Sequence, residues 1–263
     1  TRKRTLFPYT TLFRSPTLGA PKPLTLPTIT ERTLPNGLRV VVVEQHELPL
    51  VDVSLVVRTG AEADPKGKAG LATLTANMLD EGAGTRDALG IAEQIGFLAV
   101  RLGTGAAFEQ SSISLHSTRA TLDSALALMA DVALRPTFAA KEFERLKNDR
   151  KTSLLQESDR GPAMADRAYN AIVFGEDHPY GRSTSGTSEE VETLTRDDVI
   201  TFWKTWYRPN NATLVIVGDL SVADAVARAT RVFGGWARAN VPVLAKSTPA
   251  PARATTIYII DKP

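Results

Sequence analysis

The sequence predicts an α+β domain with helices packed on one face of a largely antiparallel sheet. Three observations carry this. Short segments alternate with a period of two, as in Val51-Asp52-Val53-Ser54-Leu55, and read as half-buried strands. Longer stretches place apolar residues at helical spacing, as with the core stripe Leu122, Leu126, Met129 and Ala133. Strands are interleaved with clusters of helices, an order that gathers the helices on one face of a sheet.

The elements follow in order. In Leu34-Pro35-Asn36-Gly37-Leu38, Asn36-Gly37 supplies the backbone freedom of a tight hairpin between strands at 30–34 and 39–44. A third strand covers 51–59. Asp64-Pro65 then offers an N-cap and a first-turn proline for a helix that Gly82 stops. Leu71, Leu74 and Met78 fall on its core side, and Ala69, Thr73, Ala76, Asn77 and Asp80 on the other. A second helix is capped by Thr85 and carries Leu89, Ile91, Ala92 and Ile95. A strand pair is expected at 97–102 and 108–116, with Gly103 and Gly105 between them. Helices at 118–134, 140–157 and 162–174 come next, the first stopped by Pro136 and the last set off by Gly161-Pro162. Helix 196–206, strand 212–217 and helix 222–233 complete the unit, which spans 25–244. Residues 245–254 read as a Pro/Ala linker, and 255–263 as the opening strand of a further domain.

With 263 residues, 43% apolar and 23% charged, the chain is long enough for one large or two modest cores. Its formal charge of +2 is set by the leading tail, where Arg2, Lys3, Arg4, Arg14 and Lys22 meet no acid. Without those five, 26 basic residues face 29 acidic ones. That mildly acidic balance gives no electrostatic reason to expect a nucleic-acid partner. No apolar run approaches the roughly 18 residues that suggest a membrane span. Residues 6–15 have neither a helical nor a strand period, and 1–24 are read as a non-native or disordered tail. Pro8 and Tyr9 interrupt the one stretch that could have served as a secretory signal. A chain without cysteine suits an exported or a cytoplasmic setting equally.

The stretch from Gly70 to Gly82 is the most telling. Thr73 and Asn77, four residues apart on a helix, stand one above the other and could grip one ion. Their chemistry is poor for that task, since Thr73 offers a neutral hydroxyl, Asn77 a neutral amide oxygen, and Ala76 cannot accept a proton. The usual nitrogen and sulfur ligands are scarce. The chain has three histidines, His46 in a polar connection, His116 at the end of a strand and His178 before a proline. No two of them share a helical i, i+4 relation, so each reads as a surface or turn residue. Asp80 and Glu81 read as a solvated helix end.

Taken with its surroundings, this stretch resembles the pitrilysin/insulinase family of zinc metallopeptidases, in its bacterial and processing-peptidase-like branch. The motifs are Leu34-Pro35-Asn36-Gly37-Leu38-Arg39-Val40, Arg58-Thr59-Gly60, Asp177-His178-Pro179-Tyr180-Gly181, Trp206-Tyr207-Arg208-Pro209-Asn210-Asn211 and Leu214-Val215-Ile216-Val217-Gly218-Asp219. The resemblance covers about 34–263 and implies a LuxS/MPP-like metallopeptidase domain. Family members carry H-x-x-E-H on the first helix and a distal glutamate as third zinc ligand, whereas the five positions here read Thr73-Leu74-Thr75-Ala76-Asn77. Glu157, 80 residues after Asn77, is the best match to the distal glutamate. It is a vestigial ligand or simply a solvated or capping residue near a helix end. One carboxylate does not make a zinc site.

The resemblance therefore implies a peptidase-family homologue that binds no cofactor itself. In the two-subunit branch only one partner need carry zinc, which points to a non-catalytic subunit that binds unfolded peptide beside a zinc-bearing paralogue. The strand expected at Phe97, Leu98, Ala99, Val100, Arg101 and Leu102 is a candidate peptide-docking edge, or a strand covered by its own linker. Two other functions stay open, a scaffold with no peptidase partner and an autonomous metalloendopeptidase with an unconventional site. The family implies a subunit of about two such halves, so the chain is expected to be a fragment. Bacterial relatives of this subtype also suggest export to the periplasm.

Overall fold

The first hairpin joins β1 (Ile29–Thr33) to β2 (Arg39–Glu44) in antiparallel register, with Thr33 opposite Arg39. Gly37 takes φ +88° in the turn, and Asn36 does more than turn the chain. Its Oδ1 accepts from the Leu38 amide at 3.2 Å, while its Nδ2 donates to the carbonyls of Phe233 at 2.8 Å and Trp236 at 3.2 Å. The hairpin is thereby tied to the far end of the domain. The computed structural model describes Gly19, residues 26–245, Thr248 and residues 256–259.

The chain continues through β3 (Leu50–Val57), a 3₁₀ turn at Ala61–Ala63 and a short helix α1 (Leu71–Asn77). A two-residue ribbon of β4 (Gly82–Ala83) and β5 (Arg86–Asp87) precedes α2 (Ala88–Leu98), β6 (Arg101–Ala106) and β7 (Ser111–Thr118). Helices α3 (Leu122–Leu134), α4 (Ala140–Ser158), α5 (Gly161–Phe174), α6 (Ser188–Thr193) and α7 (Arg196–Trp206) follow, then β8 (Ala212–Gly218) and α8 (Val222–Phe233).

Six strands form one sheet in the order β1-β2-β8-β3-β7-β6. Only the β2–β8 pair in it is parallel. The late strand β8 slots between β2 and β3, so the sheet closes only when the two ends of the domain meet. Alternate residues point into the core: Leu55 lies between Ile113 and Leu214, Val53 between Leu115 and Ile216, and all six are buried. Each such side chain contributes about 1.5–3 kcal/mol by leaving water. Helices α1, α3 and α8 pack against β6, β7 and β2. The intervening strand residues, among them Asp52, Ser54, Ser114 and His116, stay partly or fully exposed. This is the expected α+β arrangement, with helices on a mostly antiparallel sheet.

Several boundaries differ from the sequence expectation. The first helix does not begin at Pro65. Gly70 at φ +94° breaks the approach, and α1 ends at Asn77 before Gly82 is reached. Asp87, not Thr85, caps α2, its carboxylate accepting from the Gly90 amide at 2.8 Å. The strand expected at 97–102 starts later. Phe97 and Leu98 finish α2, Ala99 ends it at φ 52°, and Gly103 and Gly105 lie within β6 rather than between strands. A short apolar run suits a helix end as well as a strand, and here the helix takes it. Strand β7 runs on to Thr118, so His116 is inside it, and α3 begins only at Leu122. Residues 256–259 form no strand. Most of 245–254, the rest of 255–263 and the tail apart from Gly19 lie outside the described residues.

Candidate functional site

The site is built around α1 and begins with Asp64. This buried carboxylate accepts from the amides of Gly70 at 2.9 Å and Ala72 at 2.8 Å, satisfying two donors that a helix start leaves orphaned. It acts as a cap delivered from outside the helix. Burial pushes the Asp64 carboxyl up to about 7, against the pull of those amides and of the Arg182 charge. Arg182 holds the same corner by donating to the carbonyls of Pro65 at 3.2 Å and Asp64 at 3.1 Å.

The three positions of interest then fall on a helix that is mostly sealed. Ala76 is 0% exposed, and Thr73 and Asn77 are half-buried. The Thr73 hydroxyl donates to the Thr184 carbonyl at 2.6 Å, so the segment 183–187 lies against the helix. Two glycines permit that approach. A Cβ on Gly70 would come within 2.8 Å of the Ser185 carbonyl oxygen, and one on Gly186 within 2.2 Å of that of Ala69. Thr187 and Glu190 then form a reciprocal capping box that starts α6.

Glu157 sits in the last turn of α4. Its carboxylate is 4.0 Å from Arg167 of α5 and lies in the field of Arg150 on its own helix. Arg150 in turn donates to the Ser185 hydroxyl at 3.2 Å. Glu81 pairs with Arg145 at 2.6 Å, and Asp80 accepts from the Thr104 hydroxyl of β6 at 3.3 Å. Burial, followed by the charge of Glu81, pushes the Asp80 carboxyl up.

The histidines stand in three other settings. His46 bonds to Asp219 at 2.8 Å, His116 to Asp52 at 2.7 Å, and His178 accepts from the Tyr180 amide while stacking on Phe174. Among the described residues, no group of three or more His, Cys, Asp or Glu side chains is placed to hold a metal ion. A hydroxyl already bonded to a carbonyl, a sealed methyl and a neutral amide do not fit zinc, which takes imidazole, thiolate and carboxylate.

The expected docking residues separate. Arg101 and Leu102 lie on β6, an edge strand of the sheet, whereas Phe97 is 86% exposed on α2 and Leu98 is buried in its last turn. Ala99 and Val100 form the connection between them. A cleft of about 510 Å³ that residue spacing did not signal is lined by Arg58, Glu62, Glu109, Phe174, Tyr180 and Trp206, among others. The Tyr180 hydroxyl donates to Glu109, which pushes its pKa up to about 12. Three of the quoted motifs meet in this cleft, through Arg58 and Thr59, through His178, Pro179 and Tyr180, and through Trp206 and Asn211.

An open sheet with helices packed on it, and a first helix that offers a hydroxyl, a methyl and an amide at Thr73, Ala76 and Asn77, point to a metallopeptidase-type domain. Residues 39–188 match the family described as insulinase, peptidase family M16, and residues 193–263 match the peptidase M16 inactive domain. The chain belongs to the insulinase (M16) family. It is 30% identical over 204 residues to an uncharacterized zinc protease of Mycobacterium leprae, covering 77% of this chain and 45% of the relative. It is 25% identical over 185 residues to the non-peptidase homolog YmxG of Helicobacter pylori, covering 70% and 43%. Among solved structures, a peptidase M16 inactive domain from Pseudomonas fluorescens superposes with a TM-score of 0.80 at 28% identity, covering 85% of this chain and 54% of that one. The chain thus spans about half the length of the curated relatives it matches. An inactive-domain match and a relative named a non-peptidase homolog accord with a non-catalytic role. No helix among the described residues is long and apolar enough to cross a membrane.

Proposed function

We propose that this chain is a non-catalytic, peptide-binding part of a heteromeric zinc peptidase, acting beside a paralogue that carries an intact H-x-x-E-H helix. The observation that carries this is the ligand-poor side of α1, where Ala76 is sealed and Thr73 and Asn77 are half-buried, at the positions this reading assigns to a general base and two imidazoles. Acid–base help alone is worth about 10² to 10⁴ in rate, so their loss removes the core of the chemistry. Peptide would pair along the free edge of β6, Arg101–Ala106, as an added strand. In this reading 245–254 links to a second domain that opens at 255–263, the zinc belongs to the partner, and the assembly works in the periplasm. Support for the last point is the likeness to the bacterial branch.

The test is peptide hydrolysis by the purified full-length protein, alone and mixed with its intact-motif paralogue. Activity only in the mixture, exceeding that of the paralogue alone, is expected. Chelator-sensitive hydrolysis by this protein without a partner would contradict the proposal. A mixture that neither associates nor gains activity would favour a scaffold role instead.

A further inference from the structure

The geometry points to an internal clasp over α1: the segment 183–187, held by Thr73 on one side and Arg150 on the other, closes the side of the helix on which a metal would have to sit. This rests on the reading of Thr73, Ala76 and Asn77 as the former ligand and base positions. It goes further by saying that replacing those three side chains is not enough to reopen the site.

Four observations meet here. The Thr73 hydroxyl spends its proton on the Thr184 carbonyl at 2.6 Å. The next residue, Ser185, receives Arg150 Nη1 at 3.2 Å, so two adjacent residues of one segment join α1 to α4. Arg150 and Glu157 are seven residues apart on α4, two turns along one face, and Glu157 itself lies 4.0 Å from Arg167 of α5. Finally, Gly70 and Gly186 bring 69–70 and 185–186 to a separation that admits no Cβ on either. The guanidinium is partly desolvated, and burial lowers its pKa while Glu157 raises it. A divalent cation entering beside Thr73 would have to displace the Thr184 contact, and with it the segment that Arg150 holds through Ser185.

The clasp is tested by zinc titration calorimetry on folded variants of the full chain, with zinc chloride as the probe and circular dichroism confirming the fold. T73H/A76E/N77H is expected to bind zinc weakly. Adding R150A is expected to tighten binding by about ten- to a hundredfold, the equilibrium worth of the charged hydrogen bond to Ser185 that no longer has to be broken. Because Ala76 is sealed and a glutamate there endangers folding, T73H/N77H with and without R150A gives the same comparison with two imidazoles and Glu157. Equal affinity with and without Arg150, or no zinc binding once it is removed, would overturn the clasp. The proposed non-catalytic role survives either result, because it concerns the native residues. As a second readout, R150A in the native background is expected to speed amide exchange across 184–187, and unchanged exchange would also count against the clasp.

Discussion

The sheet interior and the α1 site obey different rules. In the sheet, Val53, Leu55, Ile113, Leu115, Leu214 and Ile216 are set by alternation, and each neighbour needs only to be apolar and of suitable size. Around α1, Asp64, Thr73, Arg150, Arg182 and Thr184 are set by particular hydrogen bonds between residues as much as 118 positions apart in sequence. The contrast teaches that packing and chemistry have separate requirements. The helix keeps its buried side, with Leu71, Leu74 and Met78 in the core, while its other side presents a hydroxyl, a methyl and an amide at Thr73, Ala76 and Asn77.

The sharpest way to break this contrast is to strike both regions and compare the costs. Leu55→Ala, which opens a hole between Ile113 and Leu214, is expected to cost about 2–5 kcal/mol in urea unfolding. A loss well below that range would show that the sheet relaxes more freely than its burial implies. Asp64→Ala should cost about 1–3 kcal/mol, because the amides of Gly70 and Ala72 lose their acceptor in a buried place. The native carboxyl also carries a pH signature. Its pKa is raised from 3.8 to about 7, so the folded state holds a proton that the unfolded chain releases. The associated stabilisation is fully present below about pH 4 and is lost as pH rises through about 7. Asp64→Asn should flatten that part of the stability profile, and an unchanged slope would assign it to another group.

Smaller effects sharpen the comparison. Thr73→Val removes one hydrogen bond and should cost about 1 kcal/mol, measured by thermal or chemical melts. At the surface, Asp219 and then Glu44 raise the pKa of His46. Its contribution to stability is present below the ordinary histidine value and is lost as pH rises through the raised one. Proton NMR titration of His46 should show that upward displacement, and Asp219→Asn should reduce it.

Where the signal is local, the fold was legible. The expected bounds of α7 and α8 match those found because Thr195 and Ser221 stand directly before them and cap them. Hairpin β1–β2 followed from Asn36-Gly37. Legibility failed where the deciding partner is distant or the pattern is ambiguous. Asp64 caps α1 from six and eight residues away, so it looked like an adjacent cap on a longer helix. The run from Ile95 to Val100 suits a helix end or a strand, and only packing chose between them. At the candidate site, Thr73, Ala76, Asn77 and Glu157 were singled out by their places in the motif, and the structure puts the first three on α1 and Glu157 in the last turn of α4. The segment 183–187 and Arg150 were not, because small polar residues in a loop and one more arginine on a charged helix carry no spacing that marks them.

The most direct test of the account is the metal content of the full-length protein, measured by native mass spectrometry and elemental analysis after purification in zinc-containing buffer and extensive dialysis. The expected result is no stoichiometric zinc and an unchanged melting temperature on adding a chelator. One tightly held equivalent, with a melting temperature that falls when it is stripped and α1 as the site of attachment, would contradict it.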